Sequence, residues 1–196
     1  MGVLIRRRDQ LLFPLSVLLV AAALAATAIH ASDASADNET VVFIVRHGEK
    51  VDSSDDAALS ELGQTRAQEL ARVLADAEID YVHSTGYART KGTAAPLAKV
   101  RGLKTQAYDR ADAKLLVSKI RKLGGRHLVV GHSSSIRSVI RELGGEPGKP
   151  INVEGEYDRL YVITIAHDGH ATTTLLRYGE PYRAAVAEVV GHQAAH

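Results

Sequence analysis

From residue 40 onward the sequence switches repeatedly between two periodicities, and that alternation limits the available folds more than any other feature. Short β-branched, apolar runs predict strands at Thr40–Val45, Asp80–His83, Thr105–Tyr108 and Leu128–Val130. Amphipathic stretches separate them. One helix is expected from a Ser60 cap to about Ala77, with Leu62, Leu70, Val73 and Leu74 on its apolar face. A second is expected over Ala88–Val100, with a kink or break at Gly92 and Pro96. A third, capped by Asp112, carries Leu116, Ile120 and Leu123 and stops at Gly124-Gly125. A fourth, capped by Ser134 or Ser135, carries Ile136, Val139, Ile140 and Leu143. After the Gly/Pro-rich stretch Gly144–Pro150, Leu160–Ala166 and Thr172–Arg177 predict a C-terminal strand hairpin turning at Asp168-Gly169. The pattern calls for an α/β fold: a mostly parallel sheet with helices on both faces.

The first 36 residues differ from the rest. Arg6, Arg7 and Arg8 precede an apolar run from Leu11 to Ile29, and Ala34-Ser35-Ala36 offers a small-residue cleavage site. Residues 1–36 are therefore expected to be a cleaved signal peptide or an uncleaved N-terminal membrane anchor, residues 11–29 forming the span. Either way residues 37–196 are exported, to the periplasm or the medium, as one domain. Setting aside Arg6, Arg7, Arg8, Asp9 and Asp33 leaves 21 basic and 21 acidic residues. A domain without formal net charge lacks the basic excess of a nucleic-acid binder. The absence of cysteine removes disulfides, thiol nucleophiles and thiolate metal sites.

In parallel sheets ligands bind beyond the carboxyl ends of strands, where helix N-termini also point. Arg46-His47-Gly48 follows the first predicted strand, and Gly131-His132-Ser133 follows the fourth. Two histidines can thus face each other across one crevice. A neutral imidazole has a free nitrogen able to attack phosphorus, and an arginine fork matches two phosphate oxygens. Gly48 is expected to leave room for a ligand, and His132, if protonated, to add a charge-assisted donor.

These residues carry a resemblance. Arg46-His47-Gly48, then "LSELGQTRAQELA" (Leu59–Ala71), "TGYARTKGTAAPLA" (Thr85–Ala98) and "VVGHSSSI" (Val129–Ile136) together resemble the histidine phosphatase superfamily, which includes phosphoglycerate mutases, acid phosphatases and phosphohistidine phosphatases. The resemblance runs from about Thr40 to Tyr178. It implies a phosphoglycerate mutase-like fold and a two-step phosphoryl transfer without metal or other cofactor. His47 would be the nucleophile, with Arg46, Arg89 and His132 holding the phosphate oxygens. Members acting on ordinary esters also use a carboxylic acid to protonate the leaving oxygen. Asp109, past the third strand, is the candidate here, with Glu156 and Asp158 in "EGEYDRLY" as alternatives. The expected substrate is a small phosphate monoester or a phosphohistidine protein. Two rivals remain open: a phosphate- or phosphoprotein-binding module without turnover, and a phosphomutase. The short stretch between Tyr108 and Arg126 has room for one helix only, which disfavours the capped, water-excluding site of a mutase.

Other candidates have plainer readings. His83 and His127 fit packing or strand-edge positions, and His167 and His170 flank a surface turn. Arg137 and Arg141 fit the outer face of a helix. Ser133, Ser134 and Ser135 lack the nucleophile-elbow pattern, and helix capping accounts for them.

Overall fold

The computed structural model describes residues 39–183. The leader or anchor expected over residues 1–36 lies outside the described residues, as does the chain after residue 183. Among the described residues no helix is long and apolar enough to cross a membrane.

Among the described residues six strands and four helices follow in the order β1 (Thr40–Arg46), α1 (Glu61–Val73), β2 (Tyr81–Ser84), α2 (Ala88–Arg101), β3 (Thr105–Ala107), α3 (Ala113–Leu123), β4 (Arg126–Gly131), α4 (Ser135–Glu142), β5 (Arg159–Ile165) and β6 (Ala171–Arg177). They build one sheet in the order β3-β2-β4-β1-β5-β6. The β1–β4, β2–β4 and β2–β3 pairs are parallel, whereas β5 runs antiparallel to both β1 and β6. This is the α/β architecture the alternation predicts, including the C-terminal hairpin.

Strand β1 is buried along its whole length, and its side chains divide by parity between two cores. Val41, Phe43 and Val45 pack with Leu70, Leu74, Ala94 and Leu97 of the α1–α2 side. Val42 and Ile44 pack with Leu116, Ile120, Ile136, Val139 and Ile140 of the α3–α4 side. The helix after β1 and the helix after β4 therefore lie on opposite faces, although the two strands are neighbours. Their carboxyl ends lie side by side where the strand order reverses, the place where sheets of this kind bind ligands.

Several local expectations need correction. Helix α1 ends at Val73 rather than Ala77, and Leu62 and Val73 are exposed. Its buried stripe is instead Gly63, Arg66, Ala67, Leu70 and Ala71, because small residues let the helix lie against the loop after β1. Helix α2 runs without a break through Gly92 and Pro96. Burial of Thr93, Ala94, Leu97 and Ala98 holds it together against the lost amide at Pro96. Leu123 is exposed because α3 is closing there at Gly124. Ser60 and Asp112 do cap their helices, accepting from the amides of Gly63 and Leu115. Ser134 stands at the start of α4 without a side-chain cap bond, and the Ser135 hydroxyl accepts from the His132 amide instead. Between β3 and β4 the chain contributes α3 alone.

Candidate active site

The register of β1 and β4 sets Arg46 opposite Gly131, so the residues that follow, His47 and His132, leave the sheet side by side. The His47 amide donates to the Gly131 carbonyl at 2.9 Å, and the two imidazole rings lie 5.3 Å apart, edge to face. Both rings are buried. Two strand ends thus bring together the pair of histidines that the sequence places in one crevice.

Hydrogen bonds define the state of each ring. His47 Nδ1 lies 2.7 Å from the Gly48 carbonyl. A carbonyl only accepts, so Nδ1 carries the proton and Nε2 holds a free lone pair when the ring is neutral. Burial first, then Arg46, His132 and Arg89, lower the His47 pKa to about 3, against the weaker pull of the Gly48 carbonyl. His47 is therefore neutral at pH 7. His132 Nδ1 faces Arg89 Nη2 at 3.5 Å, and its Nε2 lies 3.0 Å from Thr85 Oγ1. The Thr90 hydroxyl donates to the Tyr87 and Thr85 carbonyls, which leaves its oxygen to accept from Thr85. The chain of donors then runs from His132 Nε2–H through Thr85 to Thr90 and fixes the His132 tautomer. Burial, followed by Arg89, Arg110 and Arg46, lowers the His132 pKa to about 4. Desolvation beside cations thus keeps the ring neutral at rest, and the charge-assisted donor that a protonated His132 would supply awaits an anion.

The arginines separate into two kinds. Four are buried: Arg46, Arg66, Arg89 and Arg159. Arg66 forms a fork with Glu49 at 2.7–3.0 Å, and Arg159 another with Glu156 at 2.7–2.9 Å. Arg46 and Arg89 have no carboxylate partner among the described residues. Arg46 donates to the carbonyls of Asn152, Val153 and Glu156, with its Cζ 4.0 Å from the centre of the Tyr157 ring. Arg89 donates to the Asp55 carbonyl at 2.6 Å and stacks on Tyr87 at 4.4 Å. In both, Nε is buried without a partner among the described residues. Burial also lowers the Arg46 pKa. Two uncompensated guanidinium charges flank a neutral imidazole with a free nitrogen, a distribution that attracts an anion.

Gly48 does something other than the sequence suggests. A Cβ there would meet the Gly63 carbonyl oxygen at 2.9 Å, and a Cβ on Gly63 would meet the Glu49 carbonyl oxygen at 2.3 Å. The bare backbone of Gly48 makes room for α1. Its amide donates to Thr93 Oγ1 at 2.9 Å, tying the loop to α2.

No carboxylic acid among the described residues hydrogen-bonds to His47, His132 or the side chains of Arg46 and Arg89. Asp109 is exposed, and its carboxylate accepts from the Ala111 amide in a local turn. Glu156 is buried and filled: both oxygens accept from Arg159, and Arg177 and the Asn152 amide add two more donors. Burial raises its pKa, but Arg159, Asn152 and Arg177 outweigh that and leave it below the usual range. Asp158 accepts from Arg177 and the Tyr182 amide. The residues that sequence reasoning missed are Tyr87 and Tyr157 under the guanidiniums, and Thr85, Thr90 and Thr93. All three threonines lie within the Thr85–Ala98 segment, and no local signal in the sequence marks them out.

The sequence profile of the "Histidine phosphatase superfamily (branch 1)" matches residues 42–113, spanning His47 and Arg89. Over these residues the chain is similar to the histidine phosphatase superfamily. Among solved structures, the protein histidine phosphatase SixA complexed with tungstate superposes with a TM-score of 0.57 at 19% identity, over 70% of this chain and 96% of that one. A putative phosphohistidine phosphatase SixA from Agrobacterium tumefaciens gives 0.53 at 20% identity, over 72% and 99%. A mycobacterial glucosyl-3-phosphoglycerate phosphatase gives 0.55 at 16% identity, over 71% and 98%. At these identities the likeness establishes a shared fold. No curated protein matches the sequence significantly.

Proposed function

We propose that this chain is an exported, metal-independent phosphatase that works through a phosphohistidine intermediate on His47. The observation that carries the reading is the contrast among the buried arginines: the two beside His47 lack a carboxylate among the described residues, while the other two have one. A phosphoryl group would supply the missing negative charge. Nε2 of His47 attacks phosphorus, a P–N bond forms, and the bond to the leaving group breaks. Arg46, Arg89 and His132 hold the phosphate oxygens, and His132 becomes a better donor as the anion raises its proton affinity. Water then attacks phosphorus, the P–N bond breaks, and inorganic phosphate leaves with His47 restored.

The finer reading concerns the leaving group. Asp109, Glu156 and Asp158 are all engaged elsewhere, which favours substrates that depart without a protein acid. A phosphohistidine side chain or an activated ester meets that requirement; an alkyl phosphate does not. A single helix between β3 and β4 leaves the site uncapped, in keeping with hydrolysis and with access for a phosphorylated protein. Export rests on Arg6–Arg8 and the apolar run from Leu11 to Ile29, and fractionation of cells expressing a tagged chain tests it.

The deciding experiment is hydrolysis of p-nitrophenyl phosphate and of a phosphohistidine peptide in EDTA, by the wild type and by His47→Ala. Turnover that survives EDTA and falls roughly 10³-fold or more in the variant is expected, with a β-glycerophosphate control turned over poorly. Tight phosphate binding without turnover would favour a binding module. Equal turnover in both proteins would refute the role of His47.

A further inference from the structure

Arg46 is oriented by main-chain carbonyls more than a hundred residues away, and something must hold those carbonyls in place. They belong to the turn over residues 152–156, where the Glu156 amide bonds back to the Asn152 carbonyl at 3.1 Å. The Glu156 side chain is the anchor of that turn. Its Oε1 accepts from Arg159 Nε at 2.7 Å and Arg177 Nη1 at 3.0 Å; its Oε2 accepts from Arg159 Nη2 and the Asn152 amide, both at 2.9 Å. Arg159 extends the grip to the preceding segment through the carbonyls of Lys149 and Pro150 and the Tyr161 hydroxyl.

We propose that Glu156 and Arg159 are positioning residues for anion binding by Arg46: they hold the 152–156 turn in the shape that presents three carbonyls to its guanidinium. The inference rests on the reading of Arg46 as part of an anion site. A guanidinium has five N–H donors. Three go to the carbonyls of Asn152, Glu156 and Val153, two from Nη1 and one from Nη2. The remaining two are on Nε and Nη2, which form one edge of the group, the fork that fits two oxygens of an oxyanion. Carbonyl dipoles orient the cation without neutralising it, so the charge stays available. A carboxylate in place of the carbonyls would neutralise it, and the network keeps Glu156 turned toward Arg159 for that reason. The Glu156 carboxylate, which the sequence offers as an alternative proton donor, is thereby assigned a different task.

The test is a double-mutant cycle on the full chain, with Glu156→Gln, Arg46→Gln and the pair. Tungstate affinity is read by calorimetry, and kcat and KM for p-nitrophenyl phosphate by assay. Glu156→Gln keeps the size of the side chain and removes its charge. If it acts through Arg46, it weakens tungstate binding about tenfold or more in the wild type, and less than about twofold once Arg46 is gone. An equal loss in both backgrounds, or unchanged tungstate binding, overturns the proposal. Where Glu156→Gln does not fold, Arg159→Lys takes its place in the same cycle, because it keeps the charge and loses the fork. A wild type that binds tungstate but does not hydrolyse the ester defeats the catalytic reading and leaves this cycle decisive. An active, His47-dependent enzyme with additive losses defeats only the positioning role. A wild type that neither binds nor turns over defeats both.

Discussion

At the scale of single residues, the site depends on which nitrogen of each imidazole carries the proton. Gly48 settles the matter for His47 and Thr85 for His132. The second arrangement is testable. Thr85→Val keeps the shape of the side chain but leaves His132 Nε2–H buried without an acceptor, at a cost of about 1–3 kcal/mol. The ring can escape that cost by changing tautomer. The expected result is a drop in kcat/KM for an aryl phosphate of roughly tenfold, with recovery in Thr85→Ser, measured by steady-state kinetics. Full activity in Thr85→Val would show that the Thr85–Thr90 chain has no part in catalysis.

At the scale of elements, the loop after β1 is a joint between strand, helix and tail. Glu49 receives the Arg66 fork, and the other Arg66 donors reach the carbonyls of Tyr178 and Glu180. Removing Arg66 would leave Glu49 almost buried and unpaired, so Arg66→Met should destabilise the fold by about 3–5 kcal/mol in urea titrations. Gly63 tests the same joint by packing. Its missing Cβ is opposed by backbone atoms of Glu49, which cannot swing aside as a side chain would. Gly63→Ala should cost about 1–3 kcal/mol in the same titrations and displace the Arg46–Glu49 segment, lowering kcat as well. Unchanged stability in Gly63→Ala would mean that α1 can shift without disturbing the loop.

At the scale of the whole molecule, buried neutral histidines couple folding to pH. His47 and His83 have pKa values lowered to about 3 and His132 to about 4, desolvation being the leading cause in each. His83 Nε2 and His127 Nδ1 share a bond at 3.0 Å, and His127 Nε2–H donates to the Gly124 carbonyl, so the pair bridges β2 and β4 with no room for a second charge. An unfolded histidine takes up its proton near pH 6.5, and the folded ones take theirs up only near 3 or 4. Between those limits the unfolded chain binds more protons, so acid favours unfolding. Glu156, held below its usual range, adds to the same trend, because its contribution is lost as pH falls through its folded pKa. The melting temperature should therefore fall steadily from pH 6.5 toward pH 4, as read by circular dichroism. A His83→Leu/His127→Leu protein should show a shallower slope. A melting temperature independent of pH across that range would contradict the buried neutral state of these rings.

The sequence alone carried the strand–helix alternation, the parallel sheet with its C-terminal hairpin, the Ser60 and Asp112 caps, and the pairing of His47 with His132. These are short-range properties: periodicity, capping and the rule that strand ends carry sites depend on neighbouring residues. Tertiary structure decided the rest. Whether Leu62 faces the core or water depends on where α1 meets a loop, and whether α2 survives Pro96 depends on what its other residues bury. Above all, the compensation of a charge depends on partners far along the chain. Arg177 and Glu156 stand 21 residues apart, and Arg66 and Glu49 stand 17 apart. Nothing local distinguishes Arg46, left without a carboxylate among the described residues, from the Arg66 that has one. Electrostatic energy falls with distance in space, not along the chain, so only the folded arrangement could reveal which cations await an anion.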